Sequence, residues 1–143
     1  MNRFLADVNF LISILDIKHE HSVRAASWLK KAGERHSIVI CRVAHIGAVR
    51  LLTKQSIMHA SVLTGAEAWG YLTKLFEDDR FVFANEPAGF ESAWQTIYEW
   101  TPKGSSAETD SYLAAFAIAG SLSVVTFDGC MNRFPGLKVE TPR

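Results

Sequence analysis

Three aspartates stand where this sequence otherwise wants apolar residues, and together they are candidates for chemistry. Asp7 interrupts the apolar run Phe4-Leu5-Ala6 before Val8, and Asp128 ends Val124-Val125-Thr126-Phe127 just before Gly129. Asp110 opens an apolar helical stretch, in line with Leu113, Ala114 and Ala117, the spacing that shares one face of a helix. Each acid also has a structural explanation. Asp7 could cap a following helix. Asp110 could favour the dipole of its own helix, although Ser105-x-x-Glu108 already reads as a capping box there. Asp128-Gly129 is a common turn pair. Taken together the three say more: two end strands, one opens a helix, and no Arg or Lys is evident as a buried partner for each. Carboxylates brought close raise one another's pKa, and an unpaired buried charge is costly. A divalent cation relieves both problems. Mg²⁺ and Mn²⁺ prefer carboxylate oxygens and keep water ligands, and they can polarise a phosphodiester and activate water for attack on it.

The elements that must position these acids follow from periodicity. The pattern predicts strands over 3–8, 37–41, 80–84 and 123–127, with a short fifth over 137–140. Between them it predicts a short helix from Phe10, an amphipathic helix over 20–33 ending at Gly33, and a largely buried helix over 43–53. Further helices are predicted over 61–77, 90–100 and 107–119, with a loop over 102–106. Strands that alternate with helices imply a mainly parallel sheet covered on both faces. In such sheets the functional crevice lies beyond the carboxyl ends of the strands, where Asp7 and Asp128 are expected.

Bulk composition sets the remaining bounds. The chain has 143 residues, 48% hydrophobic and 21% charged, values that suit one soluble domain over 1–143 with a sizeable core. No apolar run approaches the roughly 20 residues of a bilayer span. Asp7 spoils the first apolar stretch as a signal peptide, so a cytoplasmic protein is expected. Cys41 and Cys130 have no metal-type spacing, and neither a disulfide nor a zinc site is expected. The net charge of zero argues against a general nucleic-acid coat, while leaving room for an acidic active site with local substrate contacts. His19 and His21 lie two apart and share no helix face. The four Trp and nine Phe are expected as core and dimer contacts rather than base-stacking platforms. Arg50, Lys54, Lys103 and Arg133 could contact phosphates or form surface salt bridges.

Five segments in order carry a resemblance: Leu5-Ala6-Asp7-Val8-Asn9-Phe10-Leu11-Ile12, Gly47 to Thr53, Thr109-Asp110-Ser111-Tyr112-Leu113-Ala114-Ala115, Val125-Thr126-Phe127-Asp128, and Arg133 to Leu137. Nearly the whole chain resembles the PIN-domain ribonucleases, and more narrowly the VapC-type toxins of toxin–antitoxin pairs. The resemblance implies a three-layer α/β/α sandwich with a mainly parallel sheet of four or five strands. It implies a metal-dependent endoribonuclease that acts on single-stranded RNA, with Mg²⁺ or Mn²⁺, a small cognate antitoxin and a homodimer. On it, Asp7 and Asp110 are the principal metal ligands, and Asp128 completes the cluster or acts through water. Asn9 and Thr126 orient ligands or the attacking water. One position departs from the pattern: many PIN domains carry a glutamate early in the helix after the second strand, and here His45 stands there. His45 is either a hydrogen-bonded core residue or a ligand, phosphate contact or proton donor. Two rival readings remain open. One is a PIN-fold module that binds RNA or protein with weakened catalysis. The other is an aspartyl phosphohydrolase, although that chemistry wants a second aspartate two residues on, where Asn9 stands.

Overall fold

The computed structural model describes residues 2–143, so of the expected domain only Met1 lies outside the description. Three-residue strands form the centre: β1 (Phe4–Ala6), β2 (Ile38–Ile40), β3 (Phe81–Phe83) and β4 (Ser123–Val125), with the two-residue β5 (Val139–Glu140) at one edge. They make one five-stranded sheet in the order β3-β2-β1-β4-β5, with every pairing parallel. β1 and β2 are buried at every position. That is why they read as continuous apolar runs rather than as alternating ones: both faces of the sheet are covered.

Seven helices are described: α1 (Val8–Leu15), α2 (Ser22–Ala32), α3 (Arg42–Leu52), α4 (Gln55–Met58), α5 (Gly65–Glu77), α6 (Phe90–Tyr98) and α7 (Glu108–Ala119). α1 packs on α2 and α3, and α3 on α5; α6 packs on α7, which lies along β1 and β4. This is the expected α/β/α sandwich. Chain order runs outward from β1 to β2 and β3, then returns to β4 on the other side of β1. The crossover direction therefore reverses between β1 and β4, and ligands in open α/β sheets bind at such a switch point. None of the helices is long and apolar enough to cross a membrane, among the described residues.

Several boundaries differ from expectation for physical reasons. α1 begins at Val8 rather than Phe10, because Asp7 itself occupies the N-cap and its Oδ1 accepts from the Val8 N–H at 2.7 Å. The capping box lies at α5 and not at α7. Thr64 Oγ1 accepts from the Glu67 N–H at 3.1 Å while Glu67 Oε1 accepts from the Thr64 N–H at 3.0 Å. α7 has Ala107 at its N-cap and no side-chain cap, so the box expected at Ser105 and Glu108 does not form. The helix over 43–53 is not buried all round: Ala44, Ala48 and Leu52 face inward, while Ile46 is 53% exposed. The segment between α3 and α5 adds α4 and a 3-10 turn over His59–Ser61, which periodicity missed because both are shorter than a helical repeat can reveal.

One close approach fixes the angle at which the chain leaves β1. A Cβ on Gly47 of α3 would lie 2.7 Å from Cγ2 of Val8. Only a glycine lets α1 and α3 come together at the residue that follows Asp7.

Candidate active site

Parallel register brings the first pair of site residues together. Ala6 pairs with Val125, so the next residues, Asp7 and Thr126, leave neighbouring strands side by side. The Asp7 N–H donates to the Val125 carbonyl at 3.1 Å. The Thr126 hydroxyl, fully buried, donates to Asp7 Oδ2 at 2.8 Å. Its oxygen accepts from Asn9 Nδ2 at 3.0 Å and from the Asp128 N–H at 3.0 Å. The Asn9 carboxamide oxygen in turn accepts from the Phe127 N–H at 3.0 Å. A hydroxyl has one proton and two lone pairs, so Thr126 is fully committed, and its proton goes to the carboxylate, the shorter and charge-assisted bond. Asp7, Asn9, Thr126 and Asp128 thus form one hydrogen-bonded unit across the ends of β1 and β4.

Asp7 is the most confined acid, at 8% exposure. Burial pushes its carboxyl above the ordinary range. The bonds from Thr126 and the Val8 N–H pull it back, and the charges of Asp110 and Asp128 push it up again. Both other acids thus act on Asp7 electrostatically, and each adds to the rise that burial begins.

The other two are held less deeply. Asp110 is half-buried in the first turn of α7, and its Oδ2 accepts from Arg133 Nη2 at 3.1 Å. The inward stripe predicted for it does not distinguish it, because α7 is buried on every side from Ser111 to Ala117. Asp128 caps the 3-10 turn Gly129–Arg133, with Oδ1 accepting from the Cys130 N–H at 2.9 Å. Its turn-forming role is thus present in the structure alongside any ligand role.

His45 does not join the acids. Its ring packs on α5, tilted against Trp69 at 5.4 Å and edge-on to Phe76 at 6.0 Å, and Arg42 Nη1 lies 2.7 Å from Nδ1. An arginine can only donate, so Nδ1 is the unprotonated acceptor. Burial and then the neighbouring Arg42 charge both hold the imidazole below its ordinary pKa. The structure thus places His45 as a buried residue, hydrogen-bonded to Arg42 and packed on the aromatic side chains of α5. His21 also finds an aromatic neighbour rather than a ligand role, stacked on Phe127 at 4.3 Å.

Two groups were missed. Glu86 lies just past β3, on the carboxyl side of the sheet, and its Oε2 accepts from the Tyr112 hydroxyl at 2.7 Å. Burial first, and then that bond, raise the Tyr112 phenol well above its ordinary pKa. Arg42 opens α3 at the end of β2, with its guanidinium 4.4 Å from the centre of the Phe83 ring. Both lie within three residues of a strand's carboxyl end, which is the signal that could have found them.

The donor chemistry suits an oxygen-preferring divalent cation. Asp7 is a buried carboxylate that Asp110 and Asp128 influence by like charge, and among the described residues no basic group is bonded to it. Among the described residues no three His, Cys, Asp or Glu side chains already converge as a formed metal cage. Asp110 is held by Arg133 and Asp128 by its own turn, so ligation would draw both side chains toward Asp7.

No family model matches the sequence. The chain is 30% identical to Ribonuclease VapC41 of Mycobacterium tuberculosis over 140 residues, 95% of this chain and 96% of that protein. Its fold is similar to that of VapBC2 from Rickettsia felis bound to a DNA fragment from their promoter, with a TM-score of 0.71 and 15% identity over 98% of both chains. It is also similar to M. tuberculosis VapC20, a Sarcin-Ricin loop cleaving toxin, with a TM-score of 0.65 and 14% identity, covering 94% of this chain and 98% of that one. At such identities the two structural likenesses speak for the fold alone.

Proposed function

The chain belongs to the VapC family of ribonucleases, and from that premise we propose that it is an endoribonuclease, the toxin of a toxin–antitoxin pair, whose acids at the β1–β4 switch point hold Mg²⁺ or Mn²⁺. Its partners on this reading are an RNA substrate and a small cognate antitoxin, and it assembles as a homodimer. The observation that carries the site assignment is Asp7 itself, 8% exposed at the ends of β1 and β4 and bonded, among the described residues, only by the Val8 N–H and the Thr126 hydroxyl. A fold keeps a buried anion among like charges only where something compensates for it.

Asp7 and Asp110 would hold the cation, with Asp128 directly or through water completing the set. Bound there, the cation supplies charge stabilisation to the phosphodiester and acidity to a water molecule. The chain's own residues do the positioning. Thr126 keeps Asp7 in one rotamer by donating to Oδ2. Asn9 locks Thr126 by taking its lone pair and reaches the Phe127 N–H with its other end. Such outer partners orient ligands and tune their basicity. Arg42 stands as an exposed cation at the same sheet edge and is placed to attract the phosphate backbone.

Calorimetric titration with Mn²⁺ tests the assignment. The wild-type chain binds the ion, and Asp7→Asn and Asp110→Asn lose most of the affinity while keeping the wild-type circular dichroism. Equal affinity in all three proteins would remove these two residues from the site. No binding by the wild type at millimolar metal would favour the reading as a binding module without catalysis.

A further inference from the structure

Beside the acids lies a groove that the chemistry so far does not use. It has a volume of about 450 Å³ and runs between the end of α6 and the segment after the 3-10 turn, within the ~300–1,000 Å³ of pockets that take small organic groups. Its apolar walls include Ile97, Trp100, Phe134 and Pro135, and Thr96, Thr101 and Ser105 add hydroxyls. Arg133 is the one charged residue in its lining. α6 stops at Tyr98, so Trp100 stands outside the helix with 84% of its surface exposed. An indole left this bare is a large apolar liability unless something covers it.

The groove is connected to the site. The Arg133 guanidinium lies over the Phe134 ring at 4.4 Å and donates to Asp110 Oδ2 at 3.1 Å. One residue therefore forms the groove wall and touches a candidate metal ligand. A strand of RNA whose phosphate lies at the acids would carry its neighbouring base past Arg133.

We propose that this groove is a base-binding subsite for single-stranded RNA, in which an unpaired nucleobase beside the cut stacks on Trp100. The proposal rests on the nuclease reading and adds what selects the cut site. Unpaired bases are recognised by aromatic and guanidinium faces together with hydrogen bonds to their edges. The groove offers an indole, a guanidinium held over a phenyl ring, and three hydroxyls. Its Arg133 charge, paired with Asp110 in this structure, has the sign that a phosphate chain requires once Asp110 turns to the cation.

The test uses a random-sequence single-stranded RNA oligonucleotide and the full chain, as wild type, Trp100→Ala, Trp100→Phe and Asp110→Asn. Cutting in Mn²⁺ is followed by sequencing of the products, and binding is followed separately by fluorescence anisotropy in EDTA. Trp100→Ala binds and cuts about tenfold more weakly at limiting RNA and loses nucleotide preference at one position beside the cut. Trp100→Phe keeps most of both, and Asp110→Asn stops cutting yet binds. If the wild type cuts while Trp100→Ala matches it in binding, rate and preference, the subsite is overturned and the nuclease reading stands. If the wild type does not cut but Trp100→Ala still binds tenfold more weakly, the nuclease reading fails and the base site stands. Unchanged RNA binding with lost affinity for the cognate antitoxin, or with an altered oligomeric state, would also overturn the proposal and assign the groove to a protein surface.

Discussion

Replacing Thr126 by Val keeps shape and volume but removes the hydroxyl that ties the site together. The structure allows the cost to be worked out. Thr126 is fully buried and makes three bonds: to Asp7 at 2.8 Å, from Asn9 at 3.0 Å and from the Asp128 N–H at 3.0 Å. The bond to the carboxylate is worth about 2 kcal/mol and the two neutral ones, in partly exposed company, about 0.5 kcal/mol each. The expected loss is therefore about 3 kcal/mol, below the ~5–15 kcal/mol of a typical domain, and the variant should fold. For a chain of this length that lowers Tm by roughly 8–12 °C. The loss has a pH signature. Asp7 already has a folded pKa above its unfolded 3.8, and the Thr126 bond is the largest influence pulling it down. Without that bond the folded pKa rises further. A raised folded pKa gives stability that is full below the unfolded value and is lost as pH climbs through the folded one. The deficit of Thr126→Val should therefore be largest at neutral pH and should shrink in acid. The acid limb of its rate–pH profile should move to higher pH. Thermal unfolding at several pH values is the assay, with Thr126→Ser as control. Ser restores the hydroxyl and loses one buried methyl, about 1 kcal/mol. A Tm for Thr126→Val within about 2 °C of wild type, or a Ser variant as damaged as the Val one, would refute the argument.

Three other substitutions probe separate parts of the account. Gly47→Ala gains about 0.5–1 kcal/mol of helix propensity but drives a methyl to 2.7 Å from Val8, so a net loss of about 1–2 kcal/mol is expected in urea unfolding. Arg133→Ala removes an ion pair whose side chains are 42% and 32% exposed, so stability should change by less than about 0.5 kcal/mol. The same variant frees Asp110, and Mn²⁺ affinity in calorimetry should rise severalfold. His45 is held below its unfolded pKa of 6.5 by burial and by Arg42. Its contribution to stability is thus full above that value and lost as pH falls through the folded one. His45→Gln should flatten that acid slope in thermal unfolding and leave RNA cutting within about threefold of wild type.

The positions of the acids were legible in the sequence because parallel strands are short and end abruptly. A charged residue after an apolar run marks a carboxyl end, and the sheet order brings two such ends together at Asp7 and Asp128. The fifth strand and the α/β/α layers followed from the same alternation. What failed was finer. The inward face of α7 could not be read from a helix buried all round. The cap at Ser105 resembled a box whose geometry the chain realises at Thr64 and Glu67 instead. Of the tryptophans expected as core and dimer contacts, Trp28 is buried in the core, while Trp69 and Trp100, 59% and 84% exposed in the single chain, are at odds with a core place alone. Helical spacing cannot tell an aromatic inside a helix from one just past its end. Thr126 was named as a residue that orients ligands or the attacking water, through the family resemblance and not through periodicity. Its central position depends on the register between β1 and β4, which periodicity does not determine.

On the proposed reading, RNA is hydrolysed by water activated on a cation that Asp7 and Asp110 hold. Mapping of cut sites in cellular RNA, with wild-type and Asp7→Asn proteins in Mn²⁺, is the decisive measurement. Asn can keep the cap on the Val8 N–H, and the Thr126 proton can turn to Asn9 Oδ1, already 3.3 Å away, so the variant should fold as the wild type does. Discrete cuts by the wild type are expected, which EDTA abolishes and added Mn²⁺ restores, with the Asp7→Asn protein slower by at least about a hundredfold. Cuts of equal rate and position from both proteins, or cutting that survives EDTA, would contradict that reading.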